Sequence, residues 1–284
     1  MHTWIKRTAV AVASVGLLAA ITGVAPATAI TGGVADGNAH PNVGMILFYE
    51  AAGRFRCTGT LVSSTVILTA AHCTADTVGK TLVTFESVIA EEPPSGLPVA
   101  ANPAAGYTAA ELDAAGFPVH GTAYAHPNYS NFTDLANWND VGVIVLDTPV
   151  TNITPASIAP VDYLNAYAQP VLNKTIFTSV GYGTEVRKPD TGPQKPTPQS
   201  YPLIRRYASE PGQKLTAQIL QVNGNIHDTR GTGGTCFGDS GGPTFHGGYV
   251  VTVTSYGYTD NCRYLDGMQR VDIPSVATWL ATFL

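Results

Sequence analysis

The stretch Thr235-Cys236-Phe237-Gly238-Asp239-Ser240-Gly241-Gly242-Pro243 decides how this chain is read. A serine between glycines has an exposed hydroxyl and a main chain that a ligand can approach closely, because glycine has no Cβ and permits tight turns. Backbone N–H groups turned toward one point there can stabilise a developing oxyanion. Taken alone, the segment is as readily an ordinary glycine-rich turn. Two other stretches change that. In Leu68-Thr69-Ala70-Ala71-His72-Cys73 a histidine follows an apolar run and sits beside a cysteine that can anchor it. A general base has to be held in this way, within hydrogen-bond reach of its nucleophile. In Asn139-Asp140, followed by Val141-Gly142-Val143-Ile144-Val145-Leu146, an acid enters an apolar strand. Burying that carboxylate unpaired is costly, and an imidazolium supplies the donor it needs.

The rest of the chain suits an exported protein. Its 284 residues are enough for one large domain or two small ones. Only 12% are charged and 44% are hydrophobic, which excludes disorder driven by charge. A formal charge of −5, with no basic run longer than Lys6-Arg7 or Arg205-Arg206, argues against a non-specific nucleic-acid binder. Residues 1–29 read as a secretory signal. Lys6 and Arg7 form the basic region, Thr8 to Val24 is uncharged and apolar, and Ala27-Thr28-Ala29 is a small-x-small cleavage site. Without the leader, 13 basic residues face 20 acidic ones. The mature chain is expected to be secreted, extracellular and free of the membrane. That setting permits disulfides, and four cysteines allow three pairings.

The mature chain reads as short strands bounded by Gly, Pro and Asn turns, a pattern of all-β barrels or sandwiches. The expected strands are Val43–Tyr49, Gly59–Val62, Val66–Thr69, Leu82–Phe85, Val141–Leu146, Thr175–Gly181, Leu215–Val222, Tyr249–Tyr256 and Gly267–Val271. Ile273 to Leu284 has apolar residues at helical spacing and predicts a C-terminal helix, with Ser275 as its cap. Glu91–Phe117 and Arg187–Pro202 read as long surface loops, and Thr148–Pro160 as a linker between halves of similar size.

Together these pieces resemble the trypsin/chymotrypsin-type serine proteases over residues 30–284. The resemblance rests on Ile30-Thr31-Gly32-Gly33, Thr69 to Cys73, Asn139-Asp140, Gly181-Tyr182-Gly183, Gly238 to Pro243, Ser255-Tyr256-Gly257 and the C-terminal helix. It implies an all-β fold of two six-stranded antiparallel β-barrels with a C-terminal α-helix. Residues 30–150 would form the first barrel, with His72 and Asp140. Residues 151–284 would form the second barrel and helix, with Ser240. The implied roles are nucleophile for Ser240, general base for His72 and orienting acid for Asp140, with the N–H groups of Gly238 and Ser240 as the oxyanion hole. The implied disulfides are Cys57–Cys73 and Cys236–Cys262. The implied activation pair is the freed amine of Ile30 with Asp239. Signal cleavage after Ala29 would itself expose Ile30, so the enzyme is expected to be active on export.

The pocket residues implied are Gly234, Thr235, Ser255, Tyr256, Gly257 and Gly267. Gly234 stands where trypsins carry the acid that selects Lys or Arg, and glycines at 257 and 267 would leave the entrance open. A large apolar or aromatic residue before the scissile bond is therefore expected. Asp266, beside Gly267, opens a basic preference as the alternative. No metal or other cofactor is expected: the histidines lack metal spacing, and Glu86, Glu91 and Glu92 read as solvated charge rather than a calcium loop. The partners are protein or peptide substrates, and a monomer is expected. Two other functions compete with a secreted serine endopeptidase. One is a non-catalytic binding protein on the same fold. The other is an esterase, against which stands the lack of alternating strands and helices.

Overall fold

The computed structural model describes residues 30–186 and 199–284. The predicted leader and most of the predicted Arg187–Pro202 loop lie outside the described residues. Six strands close the first barrel: β1 (Val43–Glu50), β2 (Gly53–Ser63), β3 (Val66–Thr69), β4 (Val78–Thr84), β5 (His120–Ala125) and β6 (Gly142–Leu146), in the order β1-β2-β3-β6-β5-β4. Six more close the second: β7 (Ile176–Gly181), β8 (Arg206–Leu215), β9 (Ile219–Asn223), β10 (Pro243–His246), β11 (Tyr249–Gly257) and β12 (Leu265–Arg270), in the order β8-β7-β10-β11-β12-β9. Every pairing within either barrel is antiparallel. The two-barrel architecture is the one the resemblance implies.

The period of two along a strand explains how β1 is used. Ile46 and Phe48 point into the first barrel with Leu61, Ile67, Val83, Ile144 and Leu146. Met45, Leu47 and Tyr49 point outward, and there Ala100, Tyr107 and Leu112 cover them. The long segment 91–117 is thus a packed flap on the barrel wall. It holds a short helix, α1 (Ala109–Ala114), that was not expected. Its signal was legible: Thr108 and Glu111 form a capping box, with Glu111 N–H donating to Thr108 Oγ1 at 3.2 Å and Thr108 N–H to Glu111 Oε2 at 2.8 Å.

Three expectations need correcting. Leu215–Val222 is not one strand but a hairpin. Thr216 turns the chain between β8 and β9, its N–H donating to Ile219 O at 2.8 Å and its Oγ1 accepting Ile219 N–H at 2.9 Å. β5, β8 and β10 were not foreseen, because their sequences (HGTAYA, RYASEPGQKL, PTFH) lack a β-branched run and register with neighbours decides them. The C-terminal helix is shorter, α2 (Pro274–Leu280), and Ser275 does not cap it. Pro274 takes the first helical position, which its fixed φ favours, and puts Ser275 inside the first turn.

Both ends of the described chain cross between barrels. Val276 and Leu280 of α2 pack on Val66, Leu68, Val141 and Val143 of the first barrel and on Val250, Val253 and Val271 of the second. At the other end Val34–Ala35 pairs with Arg206–Tyr207 on β8. Arg205, fully buried, pins this crossing. It donates to Asp36 Oδ2 at 2.8 Å, Asn38 Oδ1 at 2.7 Å, and Val43 O and Phe85 O at 2.9 Å each. The two barrels are thus tied together at both ends of the described chain, and the three chemical stretches of the sequence converge in the groove between them.

Candidate active site

Asp140 enters the groove at the start of β6 and is fully buried. Its carboxylate is satisfied from both barrels. Oδ1 accepts the His72 backbone N–H at 2.9 Å. Oδ2 lies 2.8 Å from His72 Nδ1 and accepts the Ser255 hydroxyl at 2.6 Å. Its own N–H donates to Gln269 Oε1 on β12 at 3.1 Å. An ionised carboxylate only accepts, so Nδ1 of His72 carries the hydrogen and Nε2 keeps its lone pair. Burial pushes the His72 imidazole down, but the charge and hydrogen bond of Asp140 and the charge of Glu50 outweigh it. The imidazole is held above its ordinary 6.5.

His72 sits in a single 3₁₀ turn, Ala71–Cys73, directly after β3. The Ser240 loop packs against that strand end. Gly241 has φ +73°, and a Cβ there would come within 2.0 Å of Thr69 Oγ1 and 2.7 Å of Ala70 N. Only glycine permits so close an approach. Thr58 clamps the loop from the other side, its N–H donating to Ser240 O at 2.8 Å and its Oγ1 to Gly238 O at 2.9 Å. The adjoining Cys57 is disulfide-bonded to Cys73, with Cα atoms 6.3 Å apart. One bridge thus ties the strand that clamps Ser240 to the turn that carries His72. It also takes up both sulfurs of Cys57, His72 and Cys73, the one His/Cys/Asp/Glu group close enough to hold a metal among the described residues.

The loop's peptides have a fixed direction. Phe237 C=O accepts Thr184 N–H at 2.7 Å, and Asp239 C=O accepts Gly242 N–H at 2.8 Å. In a trans peptide the N–H points opposite to the C=O. The N–H groups of Gly238 and Ser240 therefore point away from those partners. Gly238 holds φ +100°, a value L side chains rarely adopt. Asp239 turns inward, fully buried, and accepts N–H groups of Gly183 at 2.7 Å and Cys236 at 2.8 Å. Burial drives its carboxyl up to about 7, against the two N–H donors and the charge of Arg56. Ile30 is also fully buried, and Thr31 bridges Gly234.

Beside Ser240 lies a cavity of about 170 Å³, lined by Thr235, Cys236, Phe237, Thr254, Ser255, Tyr256, Gly257 and Asp266 among others. The Cys236–Cys262 disulfide closes one side, its Cα atoms 5.3 Å apart. Two expected pocket residues act differently. Gly234 backs onto Gly224, where a Cβ would meet Gly224 Cα at 2.4 Å, and so it packs backbone on backbone. Gly267 does not open the entrance: the Tyr256 ring occupies the space, 2.3 Å from where a Cβ would stand. Gly257 does leave room: a Cβ there would find its nearest neighbour, Asp266 Oδ1, 3.5 Å away.

Sequence reasoning missed the aromatic row along the groove. Phe132 lies 5.5 Å from the His72 ring and 5.3 Å from Trp138, and Trp138 lies 5.2 Å from Tyr256. Trp138 Nε1–H also donates to Ser255 Oγ at 2.9 Å. An indole two residues before the candidate acid was the available signal.

Two closed barrels with a buried acid–histidine pair and a Gly-Asp-Ser-Gly-Gly loop between them define the chymotrypsin-like class of protein. The chain belongs to the trypsin family, whose model, described as Trypsin, matches residues 30–280. It is similar to brachyurin of Leptuca pugilator, 30% identical over 223 residues, which is 76% of this chain and 82% of that protein. It is also similar to the alpha- and beta-fibrinogenase stejnefibrase-1 of Trimeresurus stejnegeri, at 26% over 244 residues, 80% of this chain and 81% of the relative. Among solved structures it shares its fold with HL collagenase, at TM-score 0.60 and 20% identity over 88% of this chain and 95% of that one. It shares the fold equally with a scabies mite inactivated protease paralogue, at TM-score 0.55 and 16% identity over 88% of this chain and 97% of the other. The fold alone therefore does not give activity, and the side chains have to be weighed.

Proposed function

We propose that the chain is a secreted serine endopeptidase that cleaves proteins or peptides through an acyl-enzyme. The observation that carries this reading is the doubly anchored carboxylate of Asp140, 2.8 Å from His72 Nδ1 and 2.6 Å from Ser255 Oγ. A binding protein gains nothing from a buried carboxylate that fixes one tautomer of a histidine in an open groove. In this mechanism Nε2 of His72 takes the Ser240 hydroxyl proton as Oγ attacks the scissile carbonyl carbon. The N–H groups of Gly238 and Ser240 receive the oxyanion. The same proton passes to the leaving amine, and water repeats the sequence on the acyl-enzyme. The freed amine of Ile30 pairs with Asp239 and relieves that acid's burial.

The pocket suits a large apolar or aromatic residue before the scissile bond, and Asp266 in its wall adds basic side chains as a second class. Ser255 and Gly257 on β11 offer the substrate main chain an antiparallel partner. The test is Ser240→Ala on the mature protein with an unfolded protein mixture as substrate, the new peptide ends being sequenced. The expected loss in turnover is about 10⁴–10⁶-fold. A loss below about tenfold removes Ser240 as nucleophile, and intact substrate with the unmutated protein would favour a non-catalytic binding protein on this fold.

A further inference from the structure

Behind the pocket wall stands an acid that this mechanism does not use. Glu210 on β8 is fully buried. Gly212 of β8 pairs with Val222 of β9, and Val222 with Asp266 of β12. Side chains alternate along a strand, so Glu210 and Asp266 share one face of the sheet across β9. Glu210 Oε2 accepts the Ser179 hydroxyl, which in turn lies 3.2 Å from Thr244 Oγ1. Oε1 is buried and accepts no hydrogen bond from an N–H or hydroxyl donor among the described residues. The strand pairing sets the Asp266 carboxyl on the same face, and the two acids form a side-chain pair in which each acts on the other.

The two acids are not equivalent. Asp266 Oδ2 accepts the Thr235 N–H at 2.9 Å, and a fixed N–H favours the ionised form of a carboxyl. Glu210 Oε1 has no such donor. Two carboxyls this close do not readily ionise together. The charge therefore rests on Asp266 and the proton on Glu210, where Oε1–H can donate to the Asp266 carboxylate. Burial raises both acids first of all, Asp266 to about 6 and Glu210 well above its ordinary 4.5. Asp239 of the Ser240 loop acts on Glu210 in the same repulsive sense. β7 and β10 present the neutral Ser179 and Thr244, β11 presents the phenol of Tyr256, and Asp260 lies exposed at the rim. None of these groups is a cation.

We propose that Glu210 is a positioning residue of the primary pocket: by keeping its proton and donating it to Asp266, it holds Asp266 as a carboxylate at neutral pH and so lets the pocket admit a lysine or arginine side chain beside apolar ones. This rests on the peptidase reading above. The substrate's own cation is then a partner for the Asp266 carboxylate.

The experiment compares kcat/KM for two peptides that differ only in Arg or Phe before the scissile bond, from about pH 5 to 9. Active-site titration with a serine-directed acylating reagent counts the folded enzyme. The Arg/Phe ratio is expected to rise with pH through a midpoint near 6. Glu210→Gln, whose amide still donates, keeps the ratio at pH 7. Glu210→Leu moves the midpoint upward, and a shift of about two pK units lowers the ratio at pH 7 by about tenfold. Asp266→Asn is expected to collapse the Arg/Phe ratio and remove its dependence on pH. A Glu210→Leu profile that overlays the unmutated one overturns the proposal, as does cleavage of the Phe peptide alone by the unmutated enzyme. Cleavage of neither peptide overturns the peptidase reading and the proposal with it. Should Glu210→Leu not fold, benzamidine inhibition of the unmutated enzyme decides: it is expected to tighten through the same midpoint, and inhibition independent of pH overturns the proposal.

Discussion

Ser255 Oγ donates to Asp140 Oδ2 at 2.6 Å, a hydrogen bond that runs from the second barrel to the first. It makes the orientation of the His72 partner depend on how the barrels are docked. Trp138 Nε1–H reaches the same hydroxyl at 2.9 Å and fixes its direction. Ser255→Ala should therefore lower kcat/KM by about 10–100-fold, the equivalent of a hydrogen bond to a charged group at roughly 1.5–3 kcal/mol. Steady-state kinetics on a folded, titrated variant would measure this, and a change below about twofold would show that His72 alone orients Asp140.

The acid limb of activity should follow His72. Only the neutral imidazole can take a proton, so kcat/KM rises with pH through the His72 pKa. Asp140 and Glu50 hold that value above 6.5. In Asp140→Asn the larger raising charge is gone and burial outweighs the Glu50 charge that remains, so the midpoint of the residual activity should fall below 6.5. A pH–rate profile of kcat/KM for both proteins checks the sign, and an upward or unchanged midpoint in the variant contradicts it.

The state of the N-terminus should also matter. Asp239 is buried, with its carboxyl raised to about 7, and the amine of Ile30 is the proposed countercharge. Breaking a buried ion pair by removing one partner costs about 3–5 kcal/mol. A protein retaining Ala29 should accordingly be at least about 100-fold less active than one beginning at Ile30. Equal activity of the two would assign the ordering of the Ser240 loop to other groups, Arg56 first among them.

The Arg205–Asp36 pair predicts acid sensitivity. Burial alone would raise Asp36, but the bonds from His40 and Arg205 and the charge of Arg205 bring it down to about 2 from 3.8. A carboxylate depressed on folding stabilises above its unfolded pKa, and that contribution is lost as pH falls from 3.8 toward 2. It amounts to about 2 kcal/mol. Asp36→Asn should lose this slope and, by leaving Arg205 buried without its counter-ion, cost about 3–5 kcal/mol at neutral pH. Denaturant melts across the acid range would reveal a slope that persists in the variant if the assignment is wrong.

The class of fold and the three chemical stretches are legible in the residues alone. His72, Asp140 and the Ser240 loop each carry a local signal: a cysteine anchor, an acid entering an apolar strand, glycines around a serine. These are facts about a few adjacent residues, and adjacency is what a sequence displays. How those residues are held and what surrounds them depends on contacts between distant parts of the chain. Gly267 was read as an opening and proved to be the seat of the Tyr256 ring. Leu215–Val222 was read as one strand and proved to be the hairpin that sets Glu210 behind Asp266. β8 carries charged residues and a proline and still lies inside a barrel, because its neighbours fix its register. The aromatic row, the Ser255–Asp140 bond and the Glu210–Asp266 pair join residues far apart in the chain. Strand pairing and barrel docking bring them together, and no local pattern of residue types encodes that.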